Sequence, residues 1–168
     1  MSVPPLTPLA TAVLRVPRRP ERVLAIAADE GEAALFLARE FPSARVRGVD
    51  SSPQRLRAAG ERVGLDPEGR IAFKLGRPRA LPYPDAFFDL VAQVDGRAAP
   101  AELARVLRPG GHLILARTST ARGPLSLGAV PSPGRLARHG FDLLERSAVG
   151  DGDFALARRR GSPASDGE

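Results

Sequence analysis

Two carboxylates stand where a chain of this kind could put them to use. Asp29 falls in AADEG, the turn after the apolar run RVLAIA, and Asp50 closes the run RVRGVD. An acid at that second strand end has a defined task in nucleotide-binding sheets, where it accepts hydrogen bonds from ribose hydroxyls. It also has a plainer role beside Ser51 and Ser52, since a carboxylate at a helix N-terminus is stabilised by the helix dipole with no ligand present. The same plainer role suits Asp29, Glu30 and Glu32. A nucleotide-binding turn would hold a run of glycines, but this one holds Gly31 alone, preceded by Ala27, Ala28, Asp29 and Glu30. Other chemistry is scarce. Cysteine is absent, which excludes disulfides, thiolate metal sites and cysteine nucleophiles. His112 and His139 are isolated from any nucleophile elbow and read as structural. Asp95 reads as a turn residue in DG and Tyr83 as a packing residue.

The elements that must position these residues alternate. RVLAIA (22–27) is a continuous apolar run of strand length, as expected of a strand buried on both faces. A helix follows over 32–41, a strand over 45–50, and a helix over 51–64 with Ser52 as N-cap and Pro53 in its first turn. Further strands are expected at 70–76, 87–94 and 112–117. Pro100 opens a helix through AELARVL that stops at RPGG, where Pro109 and two glycines supply the turn. A Gly/Pro/Ser-rich stretch to Pro133, a short helix GRLARHG and two strands joined by Gly150 to Gly152 complete the order. This is an α/β pattern, a mostly parallel sheet closed by one antiparallel hairpin. In such sheets ligands bind beyond the C-terminal strand ends, here 27–32, 50–52, 76–79 and 94–98.

Size and composition narrow the rest. A chain of 168 residues with 43% hydrophobic and 26% charged residues suits one globular domain. We expect a Pro-rich segment at 1–20 with a short helix around Leu9 to Val16, a domain over 21–160, and a disordered tail at 161–168. The net charge of +6 raises the question of a nucleic-acid partner. Yet Lys74 is the sole lysine, and the arginines are spread between acids rather than gathered on one helix, which argues against that partner. Prolines break the N-terminus before an apolar run reaches signal-peptide length, and no stretch approaches a membrane span, so a cytoplasmic location is the default expectation.

VLAIAADEG, GVDSSPQRLRAA, LPYPDAFFDLV, ELARVLRPGGHLILA and HGFDLLE resemble, in order and spacing, the class I S-adenosylmethionine-dependent methyltransferases, in particular the small-molecule type. The similarity covers residues 21 to 159. It implies a Rossmann-like seven-stranded sheet of order 3-2-1-4-5-7-6 with helices on both faces in a single domain. It also implies S-adenosylmethionine as cofactor, with contacts at Ala27, Asp29, Gly31, Asp50, Ser51 and Arg77. The family's first strand runs into a GxGxG turn, of which only the last glycine is matched, by Gly31. Ala27 adds a methyl group where the backbone would approach the cofactor's methionine part, and Asp29 adds negative charge near its carboxylate. After the third strand the family places an acid against the adenine amino group. The aligned residues are Gly76, Arg77 and Pro78, and a guanidinium has donors only. Arg77 could instead reach across to Asp50 or Asp29 and fill the space with an ion pair.

The resemblance implies methyl transfer to a small-molecule acceptor. The departures imply an alternative, a catalytically inactive relative that keeps the fold as a protein-binding or regulatory subunit. No catalytic residue and no metal ligand is singled out. A dinucleotide-dependent oxidoreductase is disfavoured because the first strand–helix turn lacks GxGxxG.

Overall fold

Apolar residues on both faces of single strands set the architecture. In β1 (Arg22–Ala27), Val23 and Ala25 enter one core while Leu24 and Ile26 enter another, and all four are buried. A strand of that kind belongs inside a sheet covered on both sides. The computed structural model describes residues 6–118 and 130–161. Most of the Gly/Pro/Ser-rich stretch after the fifth strand, and the tail from Ser162, lie outside the described residues.

The remaining elements are α1 (Thr7–Val13), α2 (Glu32–Glu40), β2 (Arg45–Asp50), α3 (Pro53–Val63), β3 (Ile71–Leu75), β4 (Phe88–Val94), α4 (Pro100–Val106), β5 (Leu107–Arg117), α5 (Pro133–Arg138), β6 (Phe141–Val149) and β7 (Gly152–Arg159). The strands form one seven-stranded sheet of order β3-β2-β1-β4-β5-β7-β6. The first five are parallel, and β7 runs antiparallel to both β5 and β6. One core joins α1 and α2, through Leu9, Ala34 and Leu37, to Val23, Leu90, Ile114 and Phe154 of the sheet. The other joins Leu103 of α4 and Leu136 of α5 to Leu24, Val91, Leu113 and Phe141. The order and the two-sided covering are those implied by the resemblance.

Local chemistry explains the boundaries. Ser52 caps α3, its Oγ accepting the Arg55 N–H at 3.2 Å, and proline is tolerated in the first turn where its missing N–H has no partner to lose. The same tolerance shifts α1 from the expected start at Leu9, because Pro8 lies inside its first turn. The expectation of a turn at RPGG is corrected. The β5 strand begins at Leu107, with Phe88 paired to Leu107 and Leu90 to His112, so Arg108 to Gly111 bulge from the ladder and Gly110 takes φ +81°. Asp89 holds this region. Its Oδ1 accepts from Arg108 Nη1 at 3.0 Å and its Oδ2 from the N–H groups of Glu21 and Arg22 at 2.9 and 3.0 Å, tying the starts of β1, β4 and β5 together. Arg105 of α4 fixes LPYP by donating to the Leu81 and Tyr83 carbonyls at 3.0 and 2.8 Å. Tyr83 is a packing residue, buried edge-on against Phe88, and burial pushes its hydroxyl up to about 12.

Candidate functional site

At the C-terminal ends of β1, β2 and β4 the chain leaves a cleft of about 190 Å³ whose lining includes Ala27, Ala28, Asp29, Asp50, Ser51, Arg55, Gly76, Pro78, Gln93 and Asp95. A smaller recess adjoins it, lined by Gly31 together with Asp29, Asp50 and Arg55. Five of the six expected site residues therefore gather here. Arg77 does not.

The turn from β1 into α2 keeps a glycine-like backbone without the glycines. Glu30 takes φ +56° and Gly31 φ +90°, both in the left-handed region. An L-residue there is strained by about 1–2 kcal/mol, so Glu30 holds a conformation that its own side chain disfavours. Gly31 could not be larger even with a permissive backbone, because a Cβ would stand 2.9 Å from that of Ala59. Asp29 compensates. Its Oδ1 accepts the Gly31 N–H at 3.1 Å and its Oδ2 the Ala33 N–H at 2.9 Å, so the chain's own carboxylate takes amides that open α2. Burial pushes the Asp29 carboxyl above its ordinary value, outweighing those two N–H donors.

Asp50 is more fully engaged than its sequence position suggests. Arg55, one turn into α3, donates through Nε to Oδ2 at 2.7 Å and through Nη2 to Oδ1 at 2.8 Å, and the Ser52 N–H donates to Oδ1 at 2.8 Å. Burial pushes this carboxyl up, but the Arg55 and Ser52 hydrogen bonds outweigh burial and hold it below the ordinary carboxylate value. Two carboxylate oxygens offer four lone pairs. Arg55 and Ser52 take three of them, and the Ser51 N–H also faces the carboxylate.

The expected ion pair thus exists with a different cation. Arg77 is exposed, its backbone bridges Ala80, and among the described residues its guanidinium meets neither Asp50 nor Asp29. Gly76 and Pro78 on either side of Arg77 line the cleft, while Arg77 itself sits in a tight turn bridged to Ala80 and is exposed. Arg55 went unnoticed in the sequence, although one signal was there. A cation in the first turn of a helix opposes the dipole unless a carboxylate faces it, and α3 has no acid of its own in that turn.

Gln93 was also missed. It is the polar residue in the otherwise apolar end of β4, 3% exposed, with Nε2 donating to the Arg97 carbonyl at 3.2 Å. Its Oε1 is buried with no partner among the described residues. An acceptor left so typically costs about 1–3 kcal/mol, which marks it as a place where a donor is wanted. Asp95 fulfils its turn role. It takes φ +56°, and its carboxylate accepts both the N–H and the hydroxyl of Thr118 at 2.8 and 2.7 Å, binding the end of β4 to that of β5. Among the described residues no cluster of His, Asp or Glu could hold a metal ion, and no helix is long and apolar enough to cross a membrane.

Known proteins share this fold. A family described as a methyltransferase domain matches residues 23 to 111, more than half of the chain. The chain is 35% identical over 113 residues to a ubiquinone/menaquinone biosynthesis C-methyltransferase of Geobacter sulfurreducens, covering 62% of this chain and 44% of that protein. It is 36% identical over 113 residues to a demethylmenaquinone methyltransferase of Deinococcus radiodurans, covering 63% and 46%. The chain therefore spans about half the length of the curated relatives it matches. Among solved structures, a SAM-dependent methyltransferase of Aquifex aeolicus superposes with a TM-score of 0.71 at 19% identity over 93% of both chains. At that identity the likeness shows the fold.

Proposed function

The chain belongs to the class I S-adenosylmethionine-dependent methyltransferase family, and from that premise we propose that the strand-end cleft takes S-adenosylmethionine and directs its methyl group to a small organic acceptor. The observation that carries this reading is the pairing of an acid at the end of β2 with a buried, unpartnered acceptor at the end of β4, Gln93 Oε1, in one cleft. The residues present fit the nucleoside part of the cofactor. Asp50 offers its carboxylate to the ribose hydroxyls once Arg55 lets go, which frees one acceptor position on each oxygen. Ile26, Val49 and Pro78 supply apolar walls, and Gln93 offers its carbonyl oxygen to an N–H or O–H donor.

The amino-acid part meets a modified loop. Asp29 already occupies the N–H groups of Gly31 and Ala33, and its charge opposes a second carboxylate there. The cleft of about 190 Å³ also falls below the roughly 300 Å³ at which small-molecule pockets usually begin. Withdrawal of Arg55, which lines it, enlarges the cleft and exposes Asp50 together.

Bound S-adenosylmethionine supplies a methyl group on a sulfonium centre, open to in-line attack by a nucleophile. The chain contributes position rather than proton transfer. Among the described residues no histidine or lysine lines the cleft, and the carboxylates of Asp29, Asp50 and Asp95 are all engaged in hydrogen bonds. The acceptor must therefore arrive with an intrinsically reactive atom, such as an electron-rich ring carbon or an ionised oxygen. Quinone-directed relatives support the first choice.

Incubation with methyl-labelled S-adenosylmethionine and a demethylated, chemically reduced quinone tests the reading. Label extracted with the quinone, and absent when Asp50 is replaced by Ala, supports it. Label that stays with the cofactor under saturating conditions, for this acceptor and for phenolic acceptors, contradicts methyl transfer to this class.

A further inference from the structure

The opposite end of the sheet carries a second concavity. It opens between the segment before β1, the bulge of β5 and the β6–β7 hairpin, with a volume of about 660 Å³, well within the roughly 300–1,000 Å³ of small-molecule pockets. Three separate stretches bring arginines to it: Arg18 and Arg19 before β1, Arg108 in the bulge, and Arg158 on β7.

Arg18, Arg19 and Arg158 lack, among the described residues, the carboxylate partner that some arginines of the fold have. Arg55, Arg117 and Arg160 close on Asp50, Asp153 and Asp142 at 2.7, 2.6 and 2.7 Å. In this cleft only Arg108 has such a partner, Asp89, whose carboxylate is also filled by two backbone N–H groups. Asp142 stands opposite Arg158 in the β6–β7 ladder but is taken by Arg160. Among the described residues no carboxylate pairs with Arg18, Arg19 or Arg158, and Glu21 is the one further acid in the lining.

His112 lines the cleft together with these arginines. This imidazole is 7% exposed and stands opposite Arg158 in the β5–β7 ladder, where directly opposed side chains share a face. Burial, then the charges of Arg158 and Arg18, push it below its ordinary value. Gly110, at φ +81°, lines the cleft below Arg158, whose Nη2 would lie in ordinary contact, 3.7 Å, from a Cβ there. One wall is apolar. Leu144, 51% exposed where the β6–β7 register slips, lines the cleft with Val16.

We infer that this cleft is an anion site for a phosphate group, held by Arg18 and Arg158 beside His112, with Leu144 and Val16 receiving the apolar body of a phosphate ester. Guanidinium groups match phosphate oxygens in bidentate geometry, and several unpaired cations around one point suit a dianion better than a single carboxylate. The site lies apart from the strand-end cleft and does not depend on it.

The chain's only two histidines make the test direct. The ring proton resonances of His112 and His139 are followed by NMR during titration with phenyl phosphate, inorganic phosphate, benzoate and sodium chloride at constant ionic strength. His112 shifts saturably with the phosphates while His139 stays still, and Arg158→Gln or Arg18→Gln weakens binding by about tenfold or more. Tighter binding of phenyl phosphate identifies an ester with an apolar body, and equal affinity identifies free phosphate. Both variants lie on exposed side chains, and an unchanged circular dichroism spectrum verifies their fold. Shifts that do not saturate, that benzoate reproduces at equal concentration, or that survive both variants overturn the proposal.

Discussion

Arg55 grips both carboxylate oxygens of Asp50, at 2.7 and 2.8 Å, from within the helix that Asp50 itself introduces. The acid proposed to receive the nucleoside is thereby held by a neighbour five residues along the chain. A ligand that needs Asp50 must compete with that neighbour.

Competition of this kind lowers apparent affinity by the fraction of molecules in which the acid is free. Replacing Arg55 with Gln removes the bidentate grip and leaves the helix intact. Calorimetry with S-adenosylhomocysteine should show binding tightened by a few-fold to about tenfold. Weaker binding in this variant would mean that Arg55 serves the ligand instead of blocking it.

The same pair has a pH signature. The folded Asp50 carboxyl titrates below its ordinary value of 3.8, so the unfolded chain binds the proton first as pH falls. Its contribution to stability is complete above the unfolded value and is lost as pH drops through the folded one. Urea midpoints of the wild type should fall more steeply below about pH 4 than those of Asp50→Asn. Parallel curves in that range would show that the pair adds nothing to the acid limb.

The β1–α2 turn predicts two opposite effects within two residues. Asp29→Ala strips the acceptors from the Gly31 and Ala33 amides and should lower stability by about 1 kcal/mol, the usual worth of a helix cap. Glu30→Gly relieves a side chain held at φ +56° and should raise the melting temperature. Thermal denaturation of both variants checks the pair of signs.

Glycine packing gives a further contrast. A Cβ on Gly48 would stand 2.3 Å from the Phe73 ring, so Gly48→Ala should destabilise by about 1–3 kcal/mol. At Gly60, inside α3, a Cβ meets nothing within 4 Å, and Gly60→Ala should stabilise by about 0.5–1 kcal/mol through helix propensity. Equal effects from the two would contradict the packing described.

The fold was legible because its information is local and repeated. Apolar runs such as RVLAIA announce buried strands, and Ser52-Pro53 announces a helix start. Asp50 and Asp29 were legible as strand-end acids for the same reason. Their partners were not. Arg55 reaches Asp50 because the first turn of α3 brings it back over the strand end, while Arg77 sits exposed in the turn bridged to Ala80. Proline and two glycines in RPGG read as a turn, and only the Asp89–Arg108 link and the pairing with β4 show them to be a bulge within β5. Gln93 was hidden because an unpaired buried acceptor is a property of surroundings, not of residue type.

The most direct measurement is calorimetric titration of the chain with S-adenosylmethionine and S-adenosylhomocysteine, alongside Asp50→Ala. The account predicts one-to-one binding in the micromolar range or weaker, abolished in Asp50→Ala while the circular dichroism spectrum is unchanged. Absence of heat and of thermal stabilisation at millimolar ligand, in the wild type and in Arg55→Gln alike, would contradict it and leave a methyltransferase fold that works without the cofactor.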